Sequence, residues 1–314
     1  MSDSLTSKSD SPVFIAGGEN RPVRQLSILM YHQVGRFKAM RAHRANYCDA
    51  GRFARQMAVL AQGGFHVVGL EQALLGLYGQ QPLPPRAVLL TFDDAYAGFI
   101  EHALPVLARY QFPAVVYAIS DWVGQRMRWA QPTPGRAEPA LMSAAQLHAL
   151  KEAGISLGSH GASHRKLAEL APAEQLRELT QSRAALEDLL GQPVEDLCYP
   201  FGSFNQVTVR LAAEAGYRSA MTCLRGAATR ADHPLLLPRK AVSFGDNLLG
   251  FLWKLGKHRP KPALEDWRRW SQLRSVGMGV MTVSMGAADG VESRRTAVNA
   301  QAVGTTPARI FGDG

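Results

Sequence analysis

The sequence predicts an α/β protein built on a parallel sheet, and three observations carry that prediction. Short apolar runs of strand length recur along the chain, helical repeats of apolar residues fall between them, and the two alternate over about 220 residues. A barrel or a doubly wound sheet satisfies this alternation, and in both architectures ligands gather at the carboxyl ends of the strands. Residues that directly follow a strand are therefore the first candidates for chemistry.

The elements are read in order. Ser27-Ile28-Leu29-Met30-Tyr31 is a buried run of strand type. Phe53, Met57 and Leu60 then share one helical face, with Asp49 placed to cap the helix start and Gly63-Gly64 to end it. A strand at 65–68, a helix at 70–77 and a loop with Pro82, Pro84 and Pro85 lead into the strand Ala87 to Phe92. One helix is predicted over 96–110 and a buried strand over 114–119. The stretch 121–142 holds Trp122, Trp129 and three prolines, as a long loop on the functional side would. Helices at 143–153 and 172–190 flank a strand at 155–158, and strands at 197–199 and 218–222 bracket a helix starting near Asn205.

The chain has 314 residues, 46% hydrophobic and 19% charged, enough for a sizeable core and too apolar for wholesale disorder. Its formal charge of +9 is clustered: from Phe251 onward ten Lys and Arg stand against five Asp and Glu, more than half of the excess. Around Leu248, Leu249, Phe251, Leu252, Trp253 and Leu255 the aromatic residues sit among leucines and not in a base-stacking pattern, which argues against a nucleic-acid partner. That segment suits docking on an anionic bilayer or a partner protein, or equally a solvated helix on the barrel. Three cysteines without CxxC spacing suggest neither a disulfide framework nor a zinc-thiolate site. No signal peptide or membrane span is read in the sequence, so the expected place is the cytoplasm or a membrane surface, with association with the cell envelope as the alternative. The expected organisation is a flexible leader at 1–24, a catalytic domain at 25–246, a basic amphipathic segment at 247–274 and a disordered tail at 275–314.

Four strand ends carry candidate chemistry. Asp93-Asp94 follows the strand Ala87 to Phe92, where one carboxylate can hold a metal while its neighbour reaches a reacting water. An Asp-Asp turn capping the next helix is the plainer alternative. His160 and His164, in Gly-Ser-His-Gly-Ala-Ser-His, can face one cation and, with a carboxylate, form an open three-ligand site suited to hydrolysis. Cys198-Tyr199-Pro200-Phe201-Gly202 follows another strand, where the Phe201 N–H could meet a developing oxyanion. Tyr31-His32 ends the first strand, and His32 fits a general acid near the same place.

These residues resemble the polysaccharide deacetylases with a NodB-homology domain, carbohydrate esterase family four. Thr91-Phe92-Asp93-Asp94, Ser159-His160 with His164, and Tyr199-Pro200-Phe201-Gly202 match its motifs in order and strand-end position over about residues 25–245. The resemblance implies a distorted (β/α)7 barrel and removal of acetyl groups from sugars such as N-acetylglucosamine. Asp93 would be the general base; Asp94, His160 and His164 would hold a divalent metal, usually zinc; the Phe201 N–H would stabilise the oxyanion.

Two departures stand out. Cys198 occupies the place where many members carry an Arg that steadies the base, and the late Leu-x-His motif that supplies the acid is missing. The opening Ile28 to His32 resembles the circularly permuted branch that includes poly-N-acetylglucosamine deacetylases, in which the acid comes from this segment. That reading gives His32 the acid role, with His233 as rival, and lets Arg239 replace the missing Arg. The expected activity is metal-dependent N-deacetylation of an amino-sugar polysaccharide or glycan. The alternatives are an impaired glycan- or metal-binding barrel and a deacetylase of a small or lipid-linked sugar.

Overall fold

The computed structural model describes residues 25–38, 43–79, 81–129, 138–256 and 262–275. The leader at 1–24 and most of the tail from 275 lie outside them. The strands are β1 (Ser27–Tyr31), β2 (Gln33–Gly35), β3 (Tyr47–Asp49), β4 (His66–Val67), β5 (Ala87–Phe92), β6 (Val115–Ala118), β7 (Ser156–Ser159), β8 (Asp196–Cys198), β9 (Ser219–Arg225) and β10 (Leu237–Ala241). The helices are α1 (Ala50–Gln62), α2 (Leu70–Tyr78), α3 (Gly98–His102), α4 (Leu104–Tyr110), α5 (Ala144–Glu152), α6 (Pro172–Leu190), α7 (Gln206–Glu214), α8 (Leu248–Leu255) and α9 (Pro262–Ser275).

Pairing of β1 with both β10 and β5 closes the sheet into a barrel of seven parallel strands, in the order β1-β10-β9-β8-β7-β6-β5. Closure excludes the doubly wound alternative. Because β1 runs along all of one edge of β5, β4 and β6 divide the other, β4 at Ala87 and Val88 and β6 at Thr91 and Phe92. That shared edge distorts the barrel.

The strands are buried on both faces, as a helix-wrapped parallel sheet requires. Leu29, Tyr31, Leu90, Phe92 and Val116 face outward onto Phe53, Met57 and Leu60 of α1 and Leu107 of α4. Ile28, Leu89, Val115, Tyr117, Cys198, Met221 and Leu237 point to the other side. By alternation Thr91 and Asp93 continue the inward row of Leu89, and Arg239 that of Leu237.

The single helix predicted over 96–110 is two helices broken at Ala103, where Pro105 opens α4. β10 was not predicted as a strand. Its Pro238 argues against a strand by sequence, but the structure places it at a bulge, the register shifting between Leu237 and Arg239. Segment 247–274 forms α8 and α9, with 257–261 outside the described residues. α9 lies on the barrel: Leu264 is buried, Trp267 meets Phe204 at 4.9 Å, and Arg268 Nε donates to Asp232 Oδ1 at 2.6 Å.

Candidate active site

The site is assembled at the carboxyl end of the barrel from β1, β5, β7, β8 and β10. Register does the first part of the work. Tyr31 is paired with Phe92 and the Asp93 N–H donates to Tyr31 O at 2.9 Å, so His32 and Asp93 emerge side by side. His32 Nε2 lies 3.8 Å from Asp93 Oδ2. β7 delivers His160 through a hydrogen bond from its own N–H to Ala118 O at 2.7 Å.

Arg239 spends its whole donor fork on this end of the barrel. Nη1 and Nη2 grip Asp93 Oδ1 and Oδ2 at 2.7 and 2.8 Å, Nη1 also meets Thr91 Oγ1, Nη2 meets Cys198 Sγ at 3.1 Å, and Nε donates to Thr222 O. Burial alone would push the Asp93 carboxyl up, but the Arg239 charge and hydrogen bonds outweigh it and hold the group below its ordinary value. Burial pushes the Cys198 thiol up to about 11, so it meets Arg239 as a neutral acceptor.

Asp94, His160 and His164 form a second, convergent set. Asp94 Oδ1 is 3.3 Å from His160 Nε2 and 3.2 Å from His164 Nε2, is buried, and has no hydrogen-bond partner. His160 Nδ1 faces Cys198 O at 2.6 Å. A carbonyl only accepts, so Nδ1 carries the proton, and in the neutral ring Nε2 turns a lone pair toward Asp94. Burial works against a charged His160, yet Cys198, Asp94 and Asp93 around it hold its pKa well above the ordinary imidazole value. For His164 burial wins and the pKa falls. An orphaned carboxylate oxygen faced by two imidazole nitrogens is a donor set that fits a divalent cation. Asp93, His160 and Cys198 also lie close together, but Asp93 is committed to Arg239 and Cys198 stays protonated, so that set fits a metal poorly.

The backbone is bent to hold these groups. Of seven non-glycine residues with positive φ among the described residues, Asp94 (72°), Ala95 (52°), His164 (61°) and Phe201 (57°) belong to this end. Strain of this kind persists only where surrounding contacts impose it. Glu178 of α6 supplies some of them. Its carboxylate accepts from the N–H groups of Ala162 and Ser163 at 3.1 and 2.9 Å and from Ser163 Oγ, tying down the turn between the two histidines. The His164 ring is held between Trp129 and Phe201, at centroid distances of 4.6 and 4.4 Å, and Trp122 packs on Trp129. Phe201 is 52% exposed.

All seven site residues expected from the sequence belong to β10 or lie within five residues after β1, β5, β7 or β8, at or toward this end. His233 lies elsewhere. It precedes β10 at the amino end of the barrel, and its Nδ1 accepts from the Leu235 N–H at 3.1 Å. Glu178 escaped the sequence reading, although an acid within the Gln175-Leu179-Ser182-Leu186 stripe, the buried face of α6, is a visible signal.

A closed seven-stranded parallel barrel with paired carboxylates and an Asp-His-His cluster at its carboxyl end is the architecture of a hydrolase. Residues 80–220 match the model of the polysaccharide deacetylase family. The chain is 28% identical over 221 residues to YxkH of Bacillus subtilis (strain 168), covering 70% of this chain and 72% of that one. Over 68 residues, 22% of this chain, it is 40% identical to the poly-beta-1,6-N-acetyl-D-glucosamine N-deacetylase of Escherichia coli (strain K12), a match spanning 10% of that enzyme. Among solved structures it resembles the Streptococcus pyogenes deacetylase PplD in complex with acetate, at 25% identity and a TM-score of 0.65, covering 74% of this chain and 99% of that one.

Proposed function

We propose that the protein hydrolyses N-acetyl groups on an amino-sugar polysaccharide, with a β-1,6-linked N-acetylglucosamine polymer as the first substrate to test. The observation that carries this reading is a fully buried carboxylate kept ionised by Arg239 beside an unpartnered carboxylate oxygen that faces two imidazoles. Asp94, His160 and His164 would hold a divalent ion, zinc by the nitrogen-rich donor set. When bound, such an ion supplies Lewis-acid polarisation of the acetyl carbonyl and lowers the pKa of water.

The remaining roles fall to the chain itself. Asp93 accepts the proton of the attacking water on a lone pair that Arg239 leaves open. The Phe201 N–H donates to the carbonyl oxygen as negative charge develops there. His32 Nε2 gives a proton to the departing amine nitrogen. The Cys198 substitution favoured an impaired barrel only while Asp93 lacked a cation, and Arg239 supplies one.

Acetate release from the β-1,6-linked polymer tests the reading. Zinc-loaded wild-type protein should release acetate and Asp93→Asn should lose about 10²–10⁴-fold in rate while retaining zinc. Persistent turnover in D93N overturns the base assignment. No release by the wild type from any acetylated amino-sugar polymer overturns the function.

A further inference from the structure

The two candidate histidine ligands are held in different ways. His160 is fixed by hydrogen bonds, its backbone N–H donating to Ala118 O and its Nδ1–H to Cys198 O at 2.6 Å. Such a bond, on the nitrogen away from the cation, orients the imidazole in most metal sites. His164 lacks it. Its Nδ1 is buried with no hydrogen-bond partner among the described residues, and its φ of 61° lies in the left-handed region that favours glycine. The ring is held by aromatic neighbours.

Trp129 packs on it with 4.6 Å between centroids and 53° between planes. Trp129 is enclosed in turn by Trp122, edge-on at 5.8 Å, and by Tyr96 at 6.3 Å, over the buried Met127 and Leu141. The stretch that carries it is paired on both limbs. Arg126 bridges Ala140 in antiparallel fashion, the Met127 N–H donates to Pro139 O at 3.0 Å and the Leu141 N–H to Gln125 O at 2.8 Å. The returning limb then bonds the residues that directly follow Asp94: the Ala97 N–H donates to Ala140 O at 2.9 Å and the Met142 N–H to Ala95 O at 2.8 Å. One segment therefore reaches both His164 and the turn that carries Asp94.

We propose that Trp129 is a positioning residue for the metal site, fixing the His164 ring by packing in place of the hydrogen bond that Nδ1 does not make. The proposal rests on the reading of Asp94, His160 and His164 as metal ligands. Trp122 and Tyr96 set the indole in place, so its contact with His164 exists before any sugar binds.

Zinc affinity of the full chain, measured by competition with a chromogenic chelator, tests this without reference to turnover. Trp129→Ala should bind zinc about 10–100-fold more weakly than the wild type, the loss expected when the support of a ligating histidine is removed, whereas Trp129→Phe, which still offers a ring, should stay within about threefold. In the cobalt-substituted protein the visible absorption of W129A should shift, because it reports the placing of the ligands, and that of W129F should not. Wild-type zinc affinity together with a wild-type cobalt spectrum in W129A overturns the proposal, as does an equal loss in W129F. A KM for the polymer raised in W129A at unchanged zinc affinity also overturns it and makes Trp129 a sugar contact. Wild-type protein that takes up neither zinc nor cobalt overturns the metal site and this proposal with it, whereas the other outcomes leave the metal site standing.

Discussion

The two ends of the barrel hold ionisable groups under opposite terms. At the carboxyl end Asp93, Asp94, His160 and Arg239 are all buried; Asp93 and Arg239 compensate each other, and Asp94 converges with the two imidazoles where a cation would complete the set. Toward the amino end Lys240 is buried as well, but its ammonium reaches only Ser27 Oγ and Gly256 O, and His233 caps a turn. Buried charge is expensive, and a compensated cluster is retained where it performs chemistry, whereas a single cation with neutral acceptors ties a strand to the end of a helix. The contrast separates catalytic from structural residues of the same chemical type, and substitutions can break it in graded ways.

The sharpest division is between the two histidines proposed as the acid. His32→Ala should lower deacetylation by about 10²–10⁴-fold. His233→Ala should leave the rate unchanged and cost about 1 kcal/mol of stability, the usual loss when a cap is removed. Rates of acetate release and urea unfolding of both variants decide it. A rate loss confined to H233A would move the acid to the wrong end of the barrel and end the assignment of His32.

Removing Arg239 tests compensation directly. Arg239→Met leaves Asp93 buried without its cation, and losing one partner of such a pair costs about 3–5 kcal/mol. The Asp93 pKa, held down by that cation, should rise, moving the acid limb of the rate profile to higher pH. A variant as stable as the wild type, with an unmoved limb, would show that the Arg239 pair does not set the ionisation of Asp93.

Much of this end was readable before any coordinates. The Asp-Asp, Ser-His-x-x-x-His and Tyr-Pro-Phe-Gly groups follow apolar runs, and a period-2 or period-3.6 pattern places such junctions well. Arg239 was harder to justify, because Pro238 masks β10 as a strand and its partner Asp93 lies far away in sequence. The three-residue strands β2 and β3 are too short to show a period, and the break at Ala103 depends on where Pro105 falls in a helical turn. Glu178 shows in the sequence only as an acid on the buried face of α6, and its role stays hidden because it binds the backbone N–H groups of Ala162 and Ser163, which no sequence pattern reports.

Glu178 gives the next, smaller effect. It touches no candidate metal ligand and acts by holding the turn that carries His160 and His164. Glu178→Gln keeps the shape but turns part of an acceptor into a donor facing backbone N–H groups. Zinc affinity should fall about 10–100-fold, as it does when groups behind metal ligands are altered. Competition with a chromogenic chelator measures this without reference to turnover, and unchanged affinity would reduce Glu178 to a packing role.

Lys240 carries the smallest effect and the clearest pH signature. Burial away from any carboxylate pushes its ammonium down to about 8, whereas in the unfolded chain it titrates near 10.5. Between those values the unfolded state binds the extra proton, so raising the pH through the window favours the native state. The buried thiols of Cys48 and Cys198, pushed up to about 12 and about 11, and then the Tyr199 phenol work the other way, because above their ordinary values the unfolded chain ionises and the native one does not. Lys240 should therefore contribute about 1–2 kcal/mol of native stability between about pH 8 and pH 9.5, against the opposing fall from the thiols. Lys240→Met should lose that contribution, so that its stability changes less favourably than the wild type's across this window by the same amount, while losing the hydrogen bonds to Ser27 and Gly256. Urea unfolding of both proteins at the two pH values measures it, and equal slopes would mean that Lys240 finds water or an anion at this end of the barrel, erasing the contrast with Arg239.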